Sequence, residues 1–218
     1  FCEYLAACVK PYMAHPAFYG VQLFDEPSFD MLESYAKVYS ALKKLFPAMQ
    51  MQCNLMNLCV PAILAKEPSD PLRDYENYLN YFIDKSGIDY LQTDEYPFRR
   101  NNTISNISIP TYQVLAKVCK ERKVELRLVF QSFSQQGSVV ENGVMEGGIS
   151  WRRVTEKDMY WQLNMGMGFG CREFSFFTYF AKPFLSFKGK RCVTDGVDGA
   201  AFINYEGSRT RLYNYTRR

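Results

Sequence analysis

The sequence predicts the α/β class, and within it a (β/α)8 (TIM) barrel of which these 218 residues cover about strands 4 to 8. Short apolar runs alternate strictly with helix-length stripes, and that alternation calls for a parallel sheet with right-handed crossovers. One parity of every run carries a polar side chain (Gln22, Gln52, Gln92, Arg127, Ser175), which suits a barrel lumen better than a sheet covered on both faces. No glycine-rich phosphate turn follows any strand, which counts against a nucleotide-binding sheet. Residues 1–218 are therefore read as one partial barrel domain, with the earlier strands expected to lie outside this chain.

Residues 1 to 14 place Leu5, Cys8, Val9 and Tyr12 at helical spacing, and His15-Pro16 closes that helix. The run Phe18 to Pro27 alternates as a strand and ends on Asp25-Glu26, with Gln22 and Glu26 sharing one parity. Ser28 is placed to cap the next helix, whose stripe Met31, Leu32, Tyr35, Val38, Tyr39, Leu42 and Leu45 stops at Pro47. Ala48 to Leu55 is the second strand, with Gln50, Gln52 and Asn54 on one side. A helix through Tyr75, Tyr78, Leu79, Phe82 and Ile83 ends at Gly87.

Ile88 to Pro97 is the third strand, and Gln92, Asp94 and Tyr96 share a parity that leaves Glu95 facing outward to solvent or loop. Pro110 suits a helix first turn before Val114, Leu115 and Val118. Val124 to Gln131 is the fourth strand, followed by a long irregular loop over 132 to 150. Thr155 opens the next helix, and Arg172 to Phe180 is the last strand. Ala200–Asn204 and Thr210–Tyr213 flank Glu206-Gly207 as a hairpin or a strand with a returning segment.

Composition narrows the function. A net charge of +3 with scattered basic pairs does not point to nucleic acid, and no apolar run reaches membrane-spanning length. Seven cysteines without a CxxC suggest neither a zinc site nor a disulfide framework, and free thiols favour a reducing, cytoplasmic setting. The single histidine, His15, sits at a helix end away from the strand tips, which argues against histidine triads and histidine metal sites. No metal or cofactor is expected. Five-eighths of a barrel leaves open sheet edges, so pairing with another copy or membership of a longer protein is expected.

Active sites of such barrels lie at the C-terminal strand ends. Here those ends present Asp25 and Glu26, Asn54, Asp94 with Glu95 and Tyr96, Gln131 with Phe133, and Tyr179 with Phe180. Amides and carboxylates grip hydroxyls while aromatic faces stack on sugar rings, so a carbohydrate is the expected ligand. Cleaving a glycosidic bond takes one carboxylic acid and one carboxylate. Glu26 and Asp94 share the inward parity and are the catalytic candidates; Asp25, Asn54, Tyr96, Gln131, Trp151 and Tyr179 are the substrate-binding ones.

The ordered motifs His-Pro-Ala-Phe-x-Gly to Asp-Glu-Pro (15 to 27), Asn54-Leu55, Asp-x-Tyr-Pro-Phe (94 to 98), Phe-Gln-Ser-Phe (130 to 133) and Phe-x-Tyr-Phe (177 to 180) resemble the barrel of glycoside hydrolase-like proteins related to clan A β-galactosidases, including bacterial members. That resemblance makes the first strand here the fourth of the barrel and implies that Glu26 is the acid/base, with Asp25 in place of the family's Asn. It also implies a nucleophilic Glu at the end of the seventh strand, where this chain has Gln131. The leading reading is a glycosidase for a β-linked carbohydrate in which Asp94 or Glu95 supplies the second carboxylate. The alternative is a carbohydrate-binding or scaffolding barrel that has lost its nucleophile. A barrel enzyme acting on acidic substrates is a third reading, and it requires a metal or a basic pocket.

Overall fold

The computed structural model describes residues 2–58, 70–99, 101–134, 138–141, 144–147, 151–180, 184–187, 190–193, 201–204 and 206–217. They form two compact units, Phe1–Thr93 with Pro110–Arg127 and Asp94–Ile109 with Leu128–Arg218. The long parallel strands form a five-stranded sheet, so the class is α/β.

The first unit runs α1 (Cys2–Val9), β1 (Gly20–Asp25), a 3-10 turn (Phe29–Met31), α2 (Leu32–Leu45), β2 (Gln50–Leu55) and α3 (Pro71–Ser86). It continues through the first residues of β3 (Tyr90–Glu95), most of α4 (Ser108–Arg122) and the start of β4 (Glu125–Gln131). Met51, Cys53 and Leu55 on β2, Leu32, Ala36, Tyr39 and Leu42 on α2, and Tyr75, Tyr78, Leu79 and Phe82 on α3 are all buried. Their spacing is two on the strand and three to four on the helices, as faces turned to one core require.

Local chemistry sets the helix ends. The Asp70 carboxylate accepts from the Leu72 and Arg73 amides at 3.1 and 3.3 Å, and Pro71 takes the first helical position, where no N–H partner is needed. Gly87, at φ 67°, ends α3 in the left-handed conformation that costs glycine least.

One expectation is corrected here. Ser28 does not cap α2: a 3-10 turn intervenes, and the Ser28 hydroxyl bonds the Asp30 carboxylate instead. Pro110 lies in the first turn of α4, as expected, where amides lack intrahelical partners anyway; the helix itself begins at Ser108.

β1 and β2 are parallel, but the register slips by one residue. Gln22 pairs with Gln52, Phe24 pairs with Cys53, and Leu23 has no counterpart. Gln50, Gln52 and Asn54 share one face of β2, so the residues paired with them, Gly20, Gln22 and Asp25, share one face of β1. Counting parity along the sequence assigned that face to Glu26. The slip hands it to Asp25.

The second unit holds the C-terminal ends of β3 and β4, β5 (Ser138–Glu141) paired antiparallel with β6 (Val144–Gly147), α5 (Glu156–Gly168), β7 (Cys171–Phe177), β8 (Phe184–Phe187) paired antiparallel with β9 (Lys190–Val193), and α6 (Arg211–Thr216). Thr155 caps α5 in a reciprocal box with Asp158, which also pairs with Arg152 at 2.6 Å. Phe98, Val154, Met159, Phe202 and Leu212 form the core, with Trp161 and Phe176 against it.

The 132–150 loop is therefore not wholly irregular; it carries the β5–β6 hairpin, whose strands are too short for a period of two to stand out. A second hairpin, β8–β9, follows the strand read as the last, and β7 itself stops at Phe177. Around Glu206-Gly207 there is one antiparallel bridge, Ile203 with Arg209, and the returning segment becomes α6 rather than a strand.

Gly20 pairs with Gln50, and any Cβ at Gly20 would overlap the Gln50 carbonyl oxygen, a backbone atom of the partner strand that has no room to yield. Gly20→Ala is expected to destabilise the fold by about 1–3 kcal/mol, read as a lower urea midpoint with an unchanged slope.

Candidate functional site

In the first unit, the polar face formed by β1 and β2 ends in a hydrogen bond: Asn54 Nδ2 donates to Asp25 Oδ1 at 3.0 Å. Glu26 follows at once, its amide donating to the Asn54 carbonyl at 2.9 Å and its backbone at φ 46°. A non-glycine residue in that region costs on the order of 1–3 kcal/mol and persists only where its surroundings hold it. The holding contacts are visible on the next residue. The Pro27 carbonyl accepts from the buried Tyr78 hydroxyl at 2.8 Å, and burial, aided by the Glu26 charge, keeps that phenol well above its ordinary pKa. The Glu26 side chain is exposed.

Farther down the same face, Gln22, Gln50 and Gln52 join Phe18 and Tyr19 around a concavity of about 270 Å³. His15, outside this face, accepts the Ala17 amide at its Nδ1 at 3.1 Å.

In the second unit, β3 closes on two acids that are both buried. Asp94 is 6% exposed and Glu95 1%. Glu95 faces the helix layer, where its Oε1 accepts from the Ser108 hydroxyl at 2.6 Å, while its Oε2 has no hydrogen-bond partner among the described residues. Burial pushes the Glu95 carboxyl up to about 7; the Ser108 bond opposes that rise, the Asp94 charge adds to it and Arg99 offsets part of it. The outward parity read from the sequence is correct for Glu95, but the surroundings are not solvent. Ser108, the residue that opens α4, was the available signal.

Tyr96, Phe133, Trp151 and Phe177 form one aromatic cluster. Tyr96 meets Phe133 edge-on at 4.8 Å and Trp151 at 6.2 Å, and Phe133 lies 5.4 Å from Trp151 and 5.5 Å from Phe177. The Trp151 indole donates to the Tyr96 carbonyl at 3.1 Å, and the Arg99 guanidinium sits 5.4 Å above the Trp151 ring. Trp151 is thus committed to this cluster through one edge. Phe177, half exposed at the end of β7, is a member that the sequence reading did not single out. Tyr179 stands apart: it is 60% exposed and its ring touches Phe202 at 6.1 Å.

Gln131 is fully buried and its amide is fully used. Its Oε1 accepts from the Phe98 amide at 3.0 Å, and its Nε2 faces the carbonyls of Phe133, Arg152 and Phe98 at 3.1, 3.2 and 3.4 Å. Its backbone is clamped by Gln162, which accepts the Gln131 amide at 2.7 Å and donates to its carbonyl at 3.1 Å. This side chain ties irregular segments to β4.

Among the described residues no group of three or more His, Cys, Asp and Glu side chains is arranged to hold a metal ion, and no helix is long and apolar enough to cross a membrane.

The parallel α/β sheet is a fold that solved structures share. The chain is similar to Lactobacillus rhamnosus β-glucuronidase (TM-score 0.51, 12% identity, 99% of this chain and 34% of that one). It is equally similar to Ruminococcus gnavus β-glucuronidase (TM-score 0.50, 12% identity, 99% and 34%) and to the Ruminococcus gnavus enzyme in complex with N1-substituted uronic isofagomine (TM-score 0.52, 12% identity, 96% and 33%). At that identity the likeness is one of fold, and this chain spans about a third of the length of those proteins. No protein-family model and no curated protein sequence matches it.

Two outcomes follow from the buried groups. Gln131→Glu puts a carboxylate against three carbonyl oxygens and removes their donor, so it is expected to lower stability by about 3 kcal/mol or more, measured by urea denaturation. Glu95 has a folded-state value of about 7 against 4.5 for the free side chain, so the native state binds more protons between those limits. Its contribution is fully present below about pH 4.5 and is lost as pH rises through 7, on the order of 3 kcal/mol in all. Thermal melts from pH 5 to about 8 should show that decline in the wild type and a flatter profile in Glu95→Gln.

Proposed function

We propose that this chain is the later part, about strands 4 to 8, of a (β/α)8 barrel related to clan A β-galactosidase-type enzymes, and that it hydrolyses a β-linked carbohydrate by carboxylate acid/base chemistry. The observation that carries the reading is the placement of the acids: β1 and β3 both run out, at their C-terminal ends, onto carboxylates, Asp25-Glu26 and Asp94-Glu95.

In this reading Glu26 protonates the leaving oxygen, and Asp94 is the nucleophile or the base that activates water. The strained backbone at Glu26 supports its role, because strain of this size is kept where it aims a functional side chain. Asp25 and Asn54, already paired, hold sugar hydroxyls, and Tyr96 and Trp151 offer rings from the aromatic cluster, with Tyr179 as a further, separate platform. Gln131 serves this site by holding Phe98, Phe133 and Arg152 in place.

A second reading is favoured by Gln131 itself. The resemblance expects a nucleophilic carboxylate at that position, and here an amide fills it with every polar atom engaged, as in a barrel that binds carbohydrate without cleaving it.

A panel of aryl β-glycosides, glucuronide and galactoside included, separates the two. Hydrolysis that falls by about 10²- to 10⁴-fold in kcat/KM in Glu26→Gln supports the enzyme. Binding of the same glycosides by calorimetry, with no turnover at any pH, supports the binding barrel and removes the enzyme reading.

A further inference from the structure

Glu95 is a carboxyl to which the fold gives one hydrogen-bond partner for two oxygens. Its Oε1 accepts from Ser108, and its Oε2 is buried without a hydrogen-bond partner among the described residues. An ionised carboxylate has about four acceptor sites to satisfy, whereas the protonated acid carries a donor of its own and a smaller desolvation cost. The charged groups acting on it are Asp94, which precedes it on β3, and Arg99, in the segment that follows; α4 contributes the uncharged Ser108 hydroxyl. The negative charge of Asp94 opposes ionisation of Glu95, and by linkage a charge on Glu95 opposes ionisation of Asp94 equally.

We propose that Glu95 acts on Asp94 as a proton-holding partner: with Oε2 protonated the end of β3 carries a single negative charge, on Asp94, and with that proton lost it carries two. Burial is the main reason the proton is retained to near neutrality. Glu95 is a positioning residue in this scheme. It touches no substrate, and it acts through the charge of the acid beside it. The catalytic consequence rests on the role given to Asp94 above, whereas the coupling between the two acids does not.

The test is a pH titration by infrared difference spectroscopy of the whole chain, wild type beside Glu95→Gln, Asp94→Asn and Ser108→Ala. A protonated-carboxyl band present at about pH 5 should disappear near pH 7 in the wild type and be missing from Glu95→Gln. It should titrate at lower pH in Asp94→Asn, where the opposing charge is gone, and at higher pH in Ser108→Ala, where the hydrogen bond favouring the ionised form is gone. Absence of the band, or a midpoint that ignores Asp94→Asn, overturns the proposal; if Glu95→Gln does not fold, the Asp94→Asn and Ser108→Ala shifts decide it.

Turnover of an aryl β-glycoside should then show an inflection near pH 7 that Glu95→Gln removes. Spectral coupling without turnover at any pH sinks the glycosidase reading and keeps the coupling. Turnover whose pH profile is the same in Glu95→Gln, with the spectral shifts present, keeps the coupling and the glycosidase and removes the catalytic role given to Asp94.

Discussion

The second unit depends on one primary amide. Where β4 ends, the chain leaves regular structure, and the backbone near Phe98, Phe133 and Arg152 has only isolated bridges, Phe98 with Ile104 and Arg99 with Trp151, and the bond from the Arg152 amide to the Phe98 carbonyl. Buried peptide groups must nonetheless be paired. Gln131 does this with both ends of its side chain, while Gln162 from α5 binds the Gln131 backbone as a neighbouring strand would. The aromatic cluster inherits its shape from that knot, since Phe133 lies two residues beyond Gln131 and Trp151 beside Arg152. The amide offers both a donor and an acceptor there; a carboxylate meets the same carbonyls with repulsion.

Glu95 is the counterexample a few residues away on β3. It is an acid in a place that an amide or an apolar side chain would fill at less cost, and its single hydroxyl partner leaves half of it unsatisfied. Buried groups of this kind destabilise the fold when charged. Gln131 and Glu95 thus divide two roles that look alike in sequence. One makes structure from polarity, and the other stores a proton.

The first unit shows a different constraint. A one-residue slip between β1 and β2 exchanges the faces of everything beyond Leu23, which pairs Asp25 with Asn54 and leaves Glu26 to turn the chain in a left-handed conformation. A strand's side chains alternate strictly, so a single unpaired residue redirects every later side chain. The acid at the tip is presented by backbone conformation rather than by the pleat.

Much was legible in the sequence because it follows from local periodicity. The five long strands, the helix stripes through Tyr39 and Leu42 or Tyr78 and Phe82, the cap at Thr155 and the stop at Gly87 are all decided by residues within a few positions of one another. The acids and amides at the strand ends were readable for the same reason. The slip at Leu23, the burial of Glu95 against Ser108 and the bonding of Gln131 to the distant Phe98 and Arg152 backbone were not, because each depends on which backbone lies alongside. Sequence by itself determined which acids and amides stand at the ends of β1 to β4. Tertiary structure alone decided which of them are held, which are exposed and which keep a proton, because pairing and desolvation arise only between segments far apart in the chain.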